Sequence, residues 1–184
     1  MTFGNVIGVE SEISQIVMGT LFAKDIEAAA PVFDYFIEQG GNCFDTARHY
    51  GDAELVFGEW MNSRGVRDQT IVITKGAHTP NCNPETVTKE LDESLERLQT
   101  DFIDIYFLHR DNPDVPVGEF VDVLNEQKNA GRLGVFGGSN WSPERMDEAN
   151  EYAARNGLAG FSVLSNHMSL ARMVEAPWPG CLAA

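Results

Sequence analysis

The 184-residue chain carries 28 acidic against 13 basic residues, a net charge of -15, which argues against a nucleic-acid partner because phosphate-backbone sites depend on clustered lysine and arginine. With 43% apolar and 22% charged residues it has the composition of a folded globular domain, and no apolar run approaches the ~20 residues of a membrane span. Cys43, Cys82 and Cys181 are odd in number and lack metal-ligand spacing, so reduced thiols, no bound metal, no membrane partner and a cytoplasmic location are expected.

In chain order, Ile16-Val17-Met18 is the first apolar run and Gly19 closes it. The helix that follows contains Pro31, which a start near Ala28 would place in the first turn. Asn42-Cys43-Phe44 ends at Asp45, and Leu55, Val56 and Trp60 form the stripe of the next helix. Ile71-Val72-Ile73-Thr74 ends at Lys75. Asn83-Pro84 is an N-cap with proline at the first helical position, ahead of a face made by Val87, Leu91, Leu95 and Leu98. The run from Ile103 to Leu108 ends at His109, and Val117, Val121 and Leu124 mark a further helix. Leu133 to Gly138 precede Ser139. Ser142-Pro143 repeats the capping device before Met146, Ala149 and Ala153, Asn156-Gly157 ends that helix, and Phe161 to Leu164 precede Ser165.

The closing residues Gly19, Asp45, Lys75, His109, Ser139 and Ser165 follow one another 26 to 34 residues apart, the length of a strand, a helix and two loops. Strands apolar at nearly every position have no face to offer water. Alternating with amphipathic helices, they predict an α/β protein with a parallel sheet covered on its faces. Polar residues at the ends of several different strands favour a (β/α)8 TIM-type barrel over an open sheet, and no Gly-x-Gly-x-x-Gly follows the first strand. Only six strands are identifiable, so the expected architecture is an incomplete barrel of about six parallel strands with flanking helices, a single domain over 1–184 with βα units in 13–170. Its edges at strands one and six would be unpaired and its inner face partly open to water, so self-association through those edges is expected.

Asp45, Tyr50, Lys75 and His109 suit one kind of chemistry. A carbonyl reduced by hydride develops negative charge on oxygen and must receive a proton. A phenol such as that of Tyr50 can give it, because an ammonium beside a phenol favours the phenolate. Lys75 supplies the ammonium, Asp45 keeps it charged, and His109 hydrogen-bonds and orients the carbonyl oxygen. The same aspartate next to the lysine disfavours a Schiff-base role, which needs a neutral amine. His49, His78 and His167 are read as surface or loop residues. Gly137-Gly138 is read as a close-packing pair.

Phe44-Asp45-Thr46-Ala47-Arg48-His49-Tyr50-Gly51, Ile73-Thr74-Lys75, Leu108-His109-Arg110 and Gly138-Ser139-Asn140-Trp141 resemble the signature segments of the aldo-keto reductases, in family order, from about Ile13 to Leu170. The resemblance implies a catalytic tetrad of Asp45, Tyr50, Lys75 and His109. It implies NADPH as cofactor, with NADH as the alternative, and small-molecule carbonyl substrates. Ser139 and Asn140 match residues that bind the nicotinamide carboxamide, Gly19 and Thr20 match the turn after the first barrel strand near the cofactor, and Asp45 also borders it. Residues 1–12 correspond to an N-terminal arm, of which Thr2 to Val9 resemble the hairpin that caps the barrel bottom.

Two departures from the family pattern stand out. Where the family commonly has a glutamine after the sixth strand, this chain has Ser165 or Asn166, depending on register. The units that would supply strands seven and eight, with their phosphate-binding loops, are not identifiable before Ala184. An inactive truncated remnant and an NADPH-binding sensor or interaction subunit are therefore the alternatives to a working reductase. Trp178, in Pro177-Trp178-Pro179-Gly180-Cys181, is expected to be an exposed aromatic.

Overall fold

A computed structural model describes residues 1–170 and 173–183, so the end of the expected domain at Ala184 lies outside the described residues. The chain forms a six-stranded parallel sheet of β3 (Met18–Gly19), β4 (Cys43–Asp45), β5 (Ile71–Gly76), β6 (Ile103–Leu108), β7 (Leu133–Ser139) and β8 (Val163–Ser165), in sequential order. A separate antiparallel pair, β1 (Phe3–Gly4) and β2 (Ile13–Ser14), makes the N-terminal arm. Helices α1 (Ile26–Glu38), α2 (Ala53–Arg64), α3 (Pro84–Leu98), α4 (Val117–Asn129) and α5 (Pro143–Asn156) form the crossovers. The result is an incomplete (β/α)8 half-barrel with flanking helices.

Local chemistry sets the helix ends. Asn83 Oδ1 accepts from Thr86 N at 2.9 Å and Ser142 Oγ from Arg145 N at 3.1 Å, each followed by a proline whose missing N–H costs nothing there. Gly157 ends α5 in the left-handed conformation. The first helix differs from expectation. It starts at Ile26 because Asp25 caps it, accepting from Ala28 N at 2.8 Å, and Pro31 therefore stands inside the helix rather than in its first turn. In α2, Leu55 faces solvent, while Val56, Phe57 and Trp60 make the buried stripe.

The two faces of the sheet bury different sets. Phe44, Val72, Tyr106 and Phe136 point outward into the helix layer, joined by Phe33, Phe57, Trp60, Leu91 and Phe120. Cys43, Ile71, Ile73, Ile105, Phe107 and Val135 point inward. This is the period-two alternation of strands. The inner face is closed at its centre, where each of these six residues is under 9% exposed with Val6 and Val9 of the arm packed against the cluster, and it is open only towards the edge strands, where Gly19 is exposed and Val163 partly buried. The arm supplies apolar surface from below, which the sequence pattern of the strands alone does not reveal.

Gly137 and Gly138 pack closely, as read from the sequence. A Cβ on Gly137 would lie 1.8 Å from Val163 O, and one on Gly138 would lie 2.3 Å from the Trp141 ring. Phe44 sits at the centre of an aromatic cluster, with ring centroids 5.6 Å from Phe33, 5.2 Å from Phe36, 4.8 Å from Phe57 and 5.2 Å from Trp60. Truncating it removes contacts on four sides that the surrounding rings cannot all refill. Phe44→Ala is expected to cost about 3–5 kcal/mol of unfolding free energy, read by denaturant titration. A loss below about 1 kcal/mol would show that the cluster collapses to fill the space.

Candidate active site

Parallel pairing sets Asp45 opposite Ile73, Lys75 opposite Phe107 and Ser139 opposite Ser165. Asp45, Lys75, Ser139 and Ser165 share inward parity with Cys43, Ile73, Gly137 and Val163 of their own strands, and His109 continues the parity of Ile105 and Phe107. Alternation thus sends these side chains to one face at one end of the sheet. Tyr50 arrives from the loop after β4, in a turn where its N–H donates to Ala47 O at 3.0 Å and its carbonyl accepts from Ala53 N at 3.1 Å. A cavity of about 510 Å³ collects Asp45, Tyr50, Lys75, His109, Ser139, Asn140 and Ser165.

Lys75 is 3% exposed, and its ammonium forms an ion pair with Asp45 and donates to Thr46 O at 2.9 Å. Its Nζ lies 5.1 Å from the centre of the Tyr50 ring, and the Tyr50 and His109 rings meet edge-on with centroids 5.8 Å apart. His109 is 5% exposed. Burial, reinforced by the charge of Lys75, pushes its imidazole down to about 2, so it is neutral across the physiological range, and Nδ1 has no hydrogen-bond partner among the described residues.

A nicotinamide carboxamide offers one acceptor and two donors. The ends of β7 and β8 carry groups that fit it: Ser139 Oγ, Asn140 in a left-handed conformation (φ 57°), Ser165, and Asn166, whose Oδ1 is buried without a partner while its Nδ2 donates to Trp141 O at 3.0 Å. Ser165 holds the register position and Asn166 the buried free acceptor, so both candidate positions border the cavity. Gly19 and Thr20 are adjacent but do not line it. Thr20 N donates to Asp45 O at 2.9 Å, and it is Leu21 that reaches the wall.

Three histidines read as surface or loop residues belong to the cavity wall. His49 and His78 stack with centroids 4.1 Å apart and planes 2° apart, His78 meets His109 edge-on at 4.7 Å, and His167 also lines the space. His49 adjoins Tyr50 and His78 lies three residues beyond Lys75, a proximity in sequence that could have flagged both. Arg110, beside His109, was within a signature segment but had no role. Trp178 is 39% exposed and also borders the cavity, edge-on to His167 at 6.1 Å. Nothing local in the sequence signals that return of the chain, which rests on His167 N donating to Leu182 O at 2.8 Å and Leu182 N to Asn140 Oδ1 at 3.3 Å.

Comparison with known proteins follows the same lines. The family model described as "Aldo/keto reductase family" matches residues 15–177. The chain is 34% identical over 152 residues to norsolorinic acid reductase B of Aspergillus parasiticus, covering 74% of this chain and 40% of that protein. It is 38% identical over 120 residues to the aldo-keto reductase YhdN of Bacillus subtilis (60% and 36% covered) and 30% identical over 157 residues to an aryl-alcohol dehydrogenase of Pestalotiopsis microspora (78% and 41%). It therefore spans less than half the length of these curated relatives. The crystal structure of a thermostable aldo-keto reductase superposes with a TM-score of 0.73 at 23% identity, covering 83% of this chain and 58% of that one, which shows a shared fold.

The buried neutral imidazole of His109 has a consequence for stability. Below about pH 6.5 the unfolded chain's imidazole binds a proton, while the folded one stays neutral down to about pH 2, so acidification through that window favours unfolding. Melting temperatures measured from pH 7 to pH 5 should fall more steeply for the parent than for His109→Asn. Equal slopes would show that His109 takes up protons alike in both states.

Proposed function

The chain belongs to the aldo/keto reductase family, and on that premise we propose that it carries the carbonyl-reducing site of an NAD(P)H-dependent oxidoreductase that converts an aldehyde or ketone to an alcohol. The observation that carries this reading is the meeting of Asp45, Tyr50, Lys75 and His109 on one cavity whose adjoining wall, Ser139, Asn140, Ser165 and Asn166, suits a carboxamide.

Tyr50 is the proton donor to the carbonyl oxygen. Burial pushes the His109 imidazole down to about 2, which favours Tyr50 over a cationic His109 as the acid near neutrality. His109 serves instead as a neutral hydrogen-bonding group that orients the oxygen. Lys75, held by Asp45 and the Thr46 carbonyl, keeps a positive charge beside the phenol and stabilises the phenolate left when the proton departs. The hydride would come from a reduced nicotinamide when one is bound. Ser139, Asn140 and the amide of Asn166 would hold its carboxamide, with Ser165 beside them at the end of β8.

An aromatic carbonyl is the favoured substrate. The imidazoles of His49 and His78 and the indole of Trp178 line the cavity and give it aromatic surface for a planar ring, and relatives bear the names aryl-alcohol dehydrogenase and norsolorinic acid reductase.

Tyr50→Phe should lower the NADPH-dependent reduction of benzaldehyde by about 100-fold or more while leaving NADPH binding, read by fluorescence titration, largely intact. Comparable turnover in the variant would rule out Tyr50 as the acid. In the parent, binding without turnover would favour a cofactor-sensing subunit, and neither binding nor turnover an inactive remnant.

A further inference from the structure

We propose that Arg110 binds an anionic group of the substrate, so that the preferred substrates are aromatic carbonyl compounds bearing a carboxylate. This deepens the carbonyl-reductase reading and rests on it for the identity of the reacting group, although the binding it asserts is measurable without any reaction.

Arg110 follows His109 directly and lines the same cavity as Tyr50 and Lys75. Its guanidinium donates to the carbonyl of His109 at 2.7 Å, and among the described residues no carboxylate lies within ion-pair range of it. That is unusual for this chain. Arg48, Arg64, Arg67, Arg97, Arg132, Arg145 and Arg155 each face a carboxylate, in a protein with 28 acidic residues to draw on. The adjacent Asp111 is taken up by Arg145 at 3.1 Å instead.

A half-buried guanidinium without a counter-charge is costly, since desolvation is not offset by pairing. Burial does draw its pKa below the usual arginine value, opposed mainly by the nearby phenol of Tyr50 and the Cys181 thiol. Its position next to Tyr50 and His109 puts the positive charge at the reacting end of the cavity. A ligand carboxylate there would receive the planar, two-pronged donor set that guanidinium offers, and would gain from the low local dielectric. In a chain of net charge -15, a local positive charge inside the cavity also offsets the overall repulsion that an anion meets on approach. Arg110 is distinct from the groups assigned to the carboxamide, which come from the ends of β7 and β8. A cofactor phosphate is the other source of negative charge, and the experiment separates the two.

The unmodified chain is titrated calorimetrically, without cofactor, with 2-, 3- and 4-carboxybenzaldehyde and with their methyl esters. At least one acid should bind about tenfold or more tightly than its ester, with the preference weakening as salt is added. Arg110→Gln should bring the acid and ester affinities together, and Arg110→Lys should restore part of the difference. If no acid binds more tightly than its ester, the proposal is overturned. It is equally overturned if Arg110→Gln leaves the ratio unchanged and weakens NADP⁺ binding, which would give the guanidinium to a cofactor phosphate. Absence of NADPH-dependent turnover with all six compounds would sink the reductase reading alone, since the binding preference is read independently.

Discussion

The ion pair between Lys75 and Asp45 is the constraint around which the site is organised. An ammonium that is 3% exposed at the end of a strand is tolerable only with an opposite charge and further acceptors, and both come from the neighbouring strand and its loop: the Asp45 carboxylate and the Thr46 carbonyl. The backbone follows the same path. Thr46 N donates to Ile73 O and Arg48 N to Lys75 O, each at 2.9 Å, so the pairing of β4 with β5 continues past the end of β4 into the loop. That extension fixes where the next turn begins, and the turn presents Tyr50. The position of the phenol is thus a consequence of where the lysine is buried.

A second buried charge on the other face of the sheet steadies the same region. Glu54, fully buried at the start of α2, accepts from Thr74 Oγ1 at 2.7 Å and from Arg97 Nε at 3.2 Å, and Arg97 also donates to the Gly51 carbonyl. Thr74 immediately precedes Lys75 and Gly51 immediately follows Tyr50. Burial raises the Glu54 carboxyl, while the Thr74 hydroxyl and the Arg97 charge favour its ionised form. The network ties the outer side of β5 to the Tyr50 turn through α2 and α3. Two carboxylates, the half-buried Asp45 on one side of the sheet and the buried Glu54 on the other, therefore hold the lysine and the tyrosine to one frame.

What was legible in the sequence followed from periodicity and punctuation. Every strand end after the first, which closes on Gly19, announced itself by a polar residue after an apolar run, and because side chains alternate, strand parity then determined which of those residues share a face. Asp45, Lys75, His109, Ser139 and Ser165 all obey that rule. Tyr50 is on a loop, outside the rule, and its place was legible only through the resemblance of its segment to a known signature. Loops also explain the cavity residues to which the sequence assigned no role, although His49 and His78 are loop residues and Trp178 an exposed aromatic as expected. His49, His78, Arg110 and Trp178 lie in segments with no period, and their convergence depends on turns and long-range bonds such as that from Leu182 to Asn140. Leu55 was misread because the burial of Glu54 shifts the inward face of α2 away from the purely apolar stripe.

The arm and the site lie at opposite ends of one apolar column, and this division explains how a half-barrel keeps a defined cavity. Val6 and Val9 pack against the inward cluster that contains Ile71, Ile73, Ile105 and Val135 and take over part of the filling that facing strands provide in a closed barrel. The polar residues at the upper end therefore sit on a packed apolar floor. Ile73 lies two residues below Lys75, and Phe107 two below His109, so the floor is made by the same strands that carry the chemistry. The buried state of His109 depends on it: water entering from beneath would relieve the desolvation that keeps the imidazole neutral, and with it the distinction between an orienting group and an acid.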